Sequence, residues 1–163
     1  MTAQAPAEAL VRRLREGGRT IAVAESLTGG AVLDALIAVP GASAAVRGGV
    51  VAYAADVKQR VLGVPAELLA RHGTVHPDVA REMASRVRVL MSADLGLATT
   101  GVAGPDPVDG HQPGEAYVAV VGPGGERLVS LLGCTGSDRA TIRSRTTDLA
   151  LATALRQAGD LLG

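Results

Sequence analysis

A turn rich in hydroxyl groups and glycine, VAESLTGG at residues 23–30, is the first feature of the sequence that could carry chemistry. Ser26 and Thr28 stand just before Gly29 and Gly30, where a short apolar run gives way to a helix-forming segment. One interpretation is a helix N-cap with glycines that permit the turn. The other is a nucleophile, because a serine at this place faces the free N–H groups of the next helix, which can hold a phosphate or a developing oxyanion. The motif is neither a phosphate-binding loop nor a Gly-x-Ser-x-Gly elbow, so it does not identify its own reaction.

Lys58 is the only lysine of the chain, and the other fifteen basic side chains are arginines. A serine nucleophile needs a base, and a desolvated lysine can lose its proton near neutral pH whereas arginine cannot. Tyr53 stands five residues earlier, at the end of a predicted strand, and its hydroxyl could hydrogen-bond in the same cleft. The alternatives are a solvated lysine in an arginine-rich chain and a core tyrosine with its hydroxyl in water. The candidate catalytic residues are therefore Ser26, Lys58 and Tyr53.

The three histidines are weaker candidates for a base or for a metal site. His72 and His76 flank a predicted helix break around Gly73 and Pro77, so their four-residue spacing does not place them on one helix face. His111 lies in a polar loop. No Cys/His array has the spacing of a structural zinc site. We therefore expect three solvated histidines and no bound metal.

A second group of hydroxyls and glycines, Thr99, Thr100, Gly101 and Gly104, follows another apolar run. Small residues at the end of a strand let a ligand approach the backbone, although an isolated Gly-x-x-Gly is also an ordinary turn. The candidate substrate-binding residues in the two turns are Thr28, Gly29, Gly30, Thr100, Gly101 and Gly104.

Three arginines, Arg139, Arg143 and Arg145, fall in the first turns of the predicted final helix, within the segment SDRATIRSR. Basic residues there oppose the helix dipole, whose N-terminal end favours anions. The arrangement is explained if one arginine binds a phosphate bidentately. For at least two of the three, solvation at the surface is the default interpretation.

Short apolar runs alternate with amphipathic segments along the chain and predict an α/β fold. The predicted strands lie at residues 20–25, 46–54, 94–101, 115–122 and 126–133. The predicted helices lie at residues 5–16, 29–39, 55–64, 65–71, 77–91 and about 138–161. Strands interleaved with helices, then a hairpin and a closing helix, indicate one three-layer α/β/α domain, residues 1–163, with a mixed sheet. Ligands of such sheets collect beyond the carboxyl ends of the strands, where the candidate turns fall.

Composition excludes several partners. The 16 basic and 16 acidic side chains cancel, so the chain has no excess positive charge for a nucleic acid or an anionic membrane. Only Tyr53 and Tyr117 are aromatic, which disfavours base stacking on single strands. A lone cysteine, Cys134, and the lack of any apolar segment of signal-peptide or bilayer length predict a cytoplasmic protein. We expect a small-molecule partner, and a homodimer would cover apolar helix faces.

Four segments together resemble a known family, the C-terminal domain of the competence/damage-inducible protein CinA, which also occurs as a stand-alone nicotinamide-nucleotide amidohydrolase. The segments are AESLTGG, GGVVAYAADVKQRVLGV, ATTGVAGPD and DRATIRSRTTDLAL, in the family's order and spread over nearly the whole chain. The resemblance implies an α/β/α domain that hydrolyses the carboxamide of nicotinamide mononucleotide to nicotinate mononucleotide and ammonia. It implies no cofactor.

The resemblance also assigns roles to individual residues. The family's nucleophilic serine falls on Ser26, its lysine on Lys58, and its active-site tyrosine and threonine on Tyr53 and Thr100. We assign phosphate binding to Arg143. Two departures stand beside these matches: Ala54 replaces a common serine, and QPGEAYVAV replaces the usual Pro-Val-Gly-Thr-Val run, which bears on loop geometry and ligand preference.

The leading hypothesis is a Ser-Lys amidase. Neutral Lys58 takes the proton of Ser26, N–H groups of residues 28–30 stabilise the oxyanion, and Tyr53 orients Lys58 or relays the proton. The alternative is a non-catalytic nucleotide-binding module that retains the pocket. Phosphoryl transfer is disfavoured, because the sequence has neither a phosphate-loop lysine nor a clustered carboxylate metal site.

Overall fold

A computed structural model describes residues 4–131, 134 and 136–160. The strands are β1 Ile21–Glu25, β2 Val46–Val51, β3 Leu95–Gly101, β4 Ala116–Gly122 and β5 Gly125–Leu131. The helices are α1 Gln4–Glu16, α2 Ala31–Ile37, α3 Ala55–Arg60, α4 Ala66–His72, α5 Pro77–Leu90 and α6 Arg139–Asp160, with one 3₁₀ turn at Ala42–Ala44.

The five strands form one mixed sheet in the order β2-β1-β3-β4-β5. β1 pairs in parallel with β2 on one side and with β3 on the other. β4 runs antiparallel to β3, and β5 runs antiparallel to β4 after a two-residue turn. The carboxyl ends of β1, β2 and β3 therefore meet at one edge of the sheet.

The two faces of the sheet bury different side chains because successive residues of a strand point to opposite sides. On one face, Ile21 and Val23 pack with apolar side chains of α1, α2 and α6. On the other face, Ala22 and Ala24 pack against α5. Helices thus cover both faces, which confirms the predicted three-layer α/β/α architecture.

Small residues let α5 lie close to the sheet. Gly96 of β3 faces this helix, and a Cβ at that position would overlap the carbonyl oxygen of Ala84. The close packing of α5 on β3 fixes the position of the carboxyl end of β3 relative to the start of α5.

All the predicted helices and strands are present, and several are shorter than predicted. The helix predicted for 55–64 ends at Arg60, because Gly63 takes a positive φ of 77° and its N–H bonds the carbonyl of Gln59. The strand predicted for 46–54 ends at Val51, where the chain turns into α3. The ends of the strand predicted for 126–133 and of the helix predicted for 138–161 lie outside the described residues. Among the described helices, none combines the length and apolar character needed to cross a bilayer.

Candidate active site

Ser26 and Lys58 meet at the carboxyl edge of the three parallel strands. Ser26 directly follows β1, and Lys58 lies on α3, which begins shortly after β2 ends. Because β1 and β2 are parallel neighbours, the residues that follow them are brought together although 32 positions separate them. The Lys58 Nζ donates a hydrogen bond of 3.0 Å to the Ser26 Oγ.

Lys58 is fully buried, and its other hydrogen-bond partners are neutral. Its Nζ donates to the carbonyl oxygens of Ala52 at 2.7 Å and Tyr53 at 3.4 Å. Within the described part of the chain, no carboxylate lies in salt-bridge contact with it. Burial lowers the pKa of Lys58 from 10.5 to about 8, because the charged form is poorly solvated in the interior.

The turn that carries Ser26 is stabilised by a residue that the sequence analysis did not select. The carboxylate of Glu25, the last residue of β1, accepts hydrogen bonds from the N–H groups of Gly30 at 3.0 Å, Val32 at 3.1 Å and Leu33 at 2.8 Å. It therefore caps α2, and neither Ser26 nor Thr28 does. Glu25 is 1% exposed and is the last residue of a fully buried strand. A glutamate at the end of an apolar run is the sequence signal that could have identified it.

Thr28 and the two glycines shape the turn. The Thr28 hydroxyl bonds the Thr99 hydroxyl at 2.8 Å, which ties the turn to β3. Gly29 and Gly30 take positive φ values of 60° and 100°, and the N–H of Gly29 bonds the carbonyl of Ser26. Their N–H groups are thus engaged inside the protein. Within the described residues, the N–H groups of Leu27 and Thr28 have no acceptor, and only Leu27 lines the cavity, whereas Thr28 is fully buried. The N–H of Leu27 is therefore the donor near Ser26 that a substrate oxygen can use.

Arg143 contacts this turn from α6. Its Nε donates to the carbonyl of Leu27 at 3.1 Å and its Nη2 to the carbonyl of Thr28 at 2.9 Å. Both bonds orient the peptide groups that follow Ser26. Arg143 is thereby placed as a support of the turn, and its assignment to a phosphate stays a prediction.

Arg139, one turn earlier on α6, lies against the cleft itself. Its Nη1 donates to the carbonyl of Gly104 at 2.6 Å and its Nη2 to the hydroxyl of Tyr53 at 2.9 Å. The side chain of Tyr53 is therefore directed to Arg139, and only its backbone carbonyl contacts Lys58. The Tyr53 hydroxyl thus hydrogen-bonds in the cleft, as the sequence predicts, with Arg139 as its partner.

Residues 3–158 match the family model of the CinA C-terminal domain. The chain belongs to this family.

Relatives and solved structures agree with the family assignment. A protein of Geobacillus kaustophilus, provisionally named competence-damage inducible, is 49% identical over 136 residues, which cover 83% of this chain and 33% of the relative. A CinA-like protein of Gloeobacter violaceus is 45% identical over 91% of this chain and 34% of its own length. The chain thus spans about a third of the length of these curated relatives. A CinA superfamily protein from Klebsiella pneumoniae superposes with a TM-score of 0.92 at 27% identity, covering 98% of this chain and 99% of the other.

In this CinA-family domain, a cavity of about 170 Å³ opens at the Ser26–Lys58 pair. Ser26 and Tyr53 line it together with Gly101, the last residue of β3, and Gly104 in the turn that follows. Arg139 lines it as well, whereas Arg143 does not. The two predicted turns and Tyr53 therefore supply part of its wall.

Thr100 supports this wall without lining the cavity. It is buried, and its hydroxyl donates to the carbonyl of Thr74 at 2.6 Å. Thr74 itself lines the cavity, as does Val75. The bond joins β3 to the connection between α4 and α5, a connection that sequence reasoning did not associate with the site.

At the cavity, the Ser26 hydroxyl is hydrogen-bonded to the buried amine of Lys58 and stands beside the free backbone N–H of Leu27. A neutral Lys58 can accept the proton of Ser26 through the existing hydrogen bond, which makes the hydroxyl oxygen nucleophilic. Backbone donors beside the nucleophile can stabilise negative charge on an oxygen that was a carbonyl. The arrangement is suited to acyl transfer from an amide or ester.

Proposed function

We propose that the protein hydrolyses the carboxamide of nicotinamide mononucleotide, giving nicotinate mononucleotide and ammonia, by a Ser-Lys amidase mechanism. The observation that carries the proposal is the 3.0 Å hydrogen bond between the Lys58 Nζ and the Ser26 Oγ at the cavity. Membership of the CinA C-terminal domain family supports the choice of substrate.

The reaction begins with proton transfer. Neutral Lys58 takes the proton of Ser26 as the Oγ forms a bond to the amide carbon, and the carbonyl oxygen becomes an oxyanion. The N–H of Leu27 donates to that oxygen, while Arg143 holds the next two peptide groups of the turn in place through the carbonyls of Leu27 and Thr28.

Collapse of the tetrahedral intermediate breaks the C–N bond. Protonated Lys58 gives its proton to the leaving nitrogen, and ammonia departs. The acyl group remains bound to Ser26 as an ester. A water molecule then attacks the ester carbon with Lys58 as base. The carboxylate product is released, and the Ser26 hydroxyl regains its proton.

The lowered pKa of Lys58 makes this base available. With a pKa of about 8, roughly a tenth of the molecules carry neutral Lys58 at pH 7, against fewer than one in a thousand for a solvated lysine. Lys58 has no carboxylate partner that would hold the proton, as the pairs in the described residues show. Desolvation is therefore the physical cause of its basicity.

Recognition of the nucleotide involves Arg139 at the cavity wall. Its guanidinium can turn from the neutral acceptors Tyr53 and Gly104 to a phosphate, which forms stronger charge-assisted bonds. The carboxamide end of the substrate then lies at Ser26 and the phosphate end at α6.

The deciding experiment incubates the purified protein with nicotinamide mononucleotide and measures ammonia and nicotinate mononucleotide. We expect stoichiometric release of both, and loss of both in Ser26→Ala and Lys58→Met, with circular dichroism confirming that the variants are folded. Lys58→Met preserves much of the side-chain volume without the amine. Ser43→Ala, at an exposed serine remote from the cavity, is the matched control. Saturable nucleotide binding without release of ammonia would instead identify a nucleotide-binding module.

A further inference from the structure

A group of metal-ligating side chains lies where α4 ends and α5 begins, outside the Ser26–Lys58 pair. His72 is the last residue of α4, His76 is the N-cap of α5, and Asp78 stands in the first turn of α5. One ligand atom from each of the three lies within 4.8 Å of the others. The two imidazole rings are stacked, with centroids 3.9 Å apart and planes inclined by 20°.

We propose that His72, His76 and Asp78 bind a divalent transition metal ion of the zinc type. Imidazole nitrogen and carboxylate oxygen are preferred ligands of such ions. Three protein ligands leave the remaining position of a tetrahedral ion to water. All three side chains are partly exposed, so the ion can enter from solvent.

Part of the required geometry is already present. Zinc ligands lie 2.0–2.1 Å from the ion, so neighbouring tetrahedral ligand atoms are roughly 3.4 Å apart. The His76 Nδ1 and the Asp78 Oδ2 are 3.6 Å apart, which fits this spacing. Arg81 pairs with the other oxygen of Asp78 at 2.6 Å and holds the carboxylate in place.

Binding requires two local changes. The lone pair of an imidazole nitrogen lies in the ring plane, so the ring of His72 rotates out of the stack to direct a nitrogen at the ion. The His76 Nδ1 accepts the N–H of Asp78 at 3.2 Å, and the ion replaces that N–H at the same lone pair. Metal binding therefore competes with the cap of α5.

The four-residue spacing suggested solvated histidines because the helix is interrupted between them. The interruption is what brings the rings together: α4 ends at His72, Gly73 takes a φ of 70°, and the chain reverses into α5. Thr74 and Val75, which line the cavity, lie between the two histidines. An ion at this position joins both ends of that segment and so fixes one wall of the cavity.

Zinc titration by calorimetry at pH 7.5 tests the site without any activity assay. We expect one ion per chain, and affinity lowered at least tenfold in His72→Gln and in His76→Asn. His76→Asn is informative because asparagine keeps a side-chain oxygen that can cap α5 while the imidazole is removed. Circular dichroism of each variant without metal shows that the fold is intact.

His111→Gln is the matched control, since His111 bonds Glu115 at 2.8 Å and is not part of the proposed ligand set. Its zinc affinity should equal that of the unaltered protein. Unchanged affinity in both His72→Gln and His76→Asn would overturn the proposal, as would an affinity reduced in His111→Gln as much as in these two. No saturable zinc binding at all would overturn it too.

Discussion

The Lys58 Nζ lies 3.0 Å from the Ser26 Oγ, and the two other acceptors around this buried amine are backbone carbonyl oxygens. No negative charge compensates the ammonium form there within the described residues, so burial lowers the pKa of Lys58 and increases the fraction of neutral amine. A hydroxyl and an amine thus share one hydrogen bond in a desolvated environment.

The pH dependence of ammonia release should follow the protonation of Lys58. Its pKa is lowered to about 8, and only the neutral amine can accept the Ser26 proton, so kcat/KM for nicotinamide mononucleotide should rise tenfold per pH unit below 8 and level off above. Initial rates from pH 6 to 9.5 measure the profile. A flat profile through pH 8 would contradict a lysine base.

The lowered pKa of Lys58 should also make the free energy of unfolding depend on pH. Between pH 8 and 10.5 the unfolded chain binds a proton at Lys58 that the folded chain has lost, so stability rises with pH in that range. Compared with Lys58→Met, the unfolding free energy of the unaltered protein should gain about 2 kcal/mol between pH 7 and 10. Urea unfolding of both proteins at the two pH values measures the difference, in which other titrating groups cancel.

Glu25→Gln should destabilise the fold. The carboxylate accepts three backbone N–H bonds at the start of α2, and an amide replaces one acceptor with a donor that faces those N–H groups. We expect a loss of about 1–3 kcal/mol, measured by urea unfolding. Glu67→Gln, at an exposed position in the first turn of α4, should change stability by less than about 0.5 kcal/mol. Equal effects of the two substitutions would argue against the cap.

Substitution of Arg139 and substitution of Arg143 should affect two substrates differently, because the first removes a proposed phosphate contact and the second a support of the turn. Arg139→Ala should reduce kcat/KM for nicotinamide mononucleotide by about 10- to 100-fold, the value of a charge-assisted hydrogen bond, and should have little effect on nicotinamide riboside, which lacks the phosphate. Arg143→Ala should impair both substrates equally if Arg143 acts only by holding the carbonyls of Leu27 and Thr28, whereas the phosphate contact predicted from the sequence would make the loss larger with the mononucleotide. Measuring kcat/KM of each variant with both substrates shows whether the two losses differ.

Tyr53→Phe should leave the pH profile unchanged. The phenol bonds Arg139, whereas the contact with Lys58 comes from the backbone carbonyl, which the substitution preserves. We expect a loss of kcat/KM below about tenfold, and a proton relay through the phenol would instead cost about a hundredfold or more. Steady-state rates across pH distinguish the two roles.

The fold and the central pair of the site were predictable from the sequence because both depend on strong local signals. Alternating apolar runs locate the strands, and a sole lysine following one strand end is conspicuous beside a serine following another. Parallel pairing of β1 and β2 then brings Ser26 and Lys58 together. Neither step needs the details of side-chain packing.

The missed residues depend on contacts that sequence spacing does not encode. Glu25 reaches forward past the turn to cap α2, in place of the hydroxyl residues that usually cap helices. Arg139 and Arg143 are four positions apart on one helix, yet one contacts the cleft and the other the turn beneath it. The two arginines make different contacts because of the way α6 packs against the carboxyl edge of the sheet.

Glu25 also has an electrostatic consequence for the substrate. Its carboxylate occupies the N–H groups at the start of α2, so the positive end of that helix is already neutralised by an anion that belongs to the protein. The phosphate of the proposed nucleotide substrate would therefore find no unoccupied N–H groups at the start of α2 and would have to bind elsewhere. The start of α2, where an anion ordinarily binds a helix, is thus closed to ligands by the protein's own side chain.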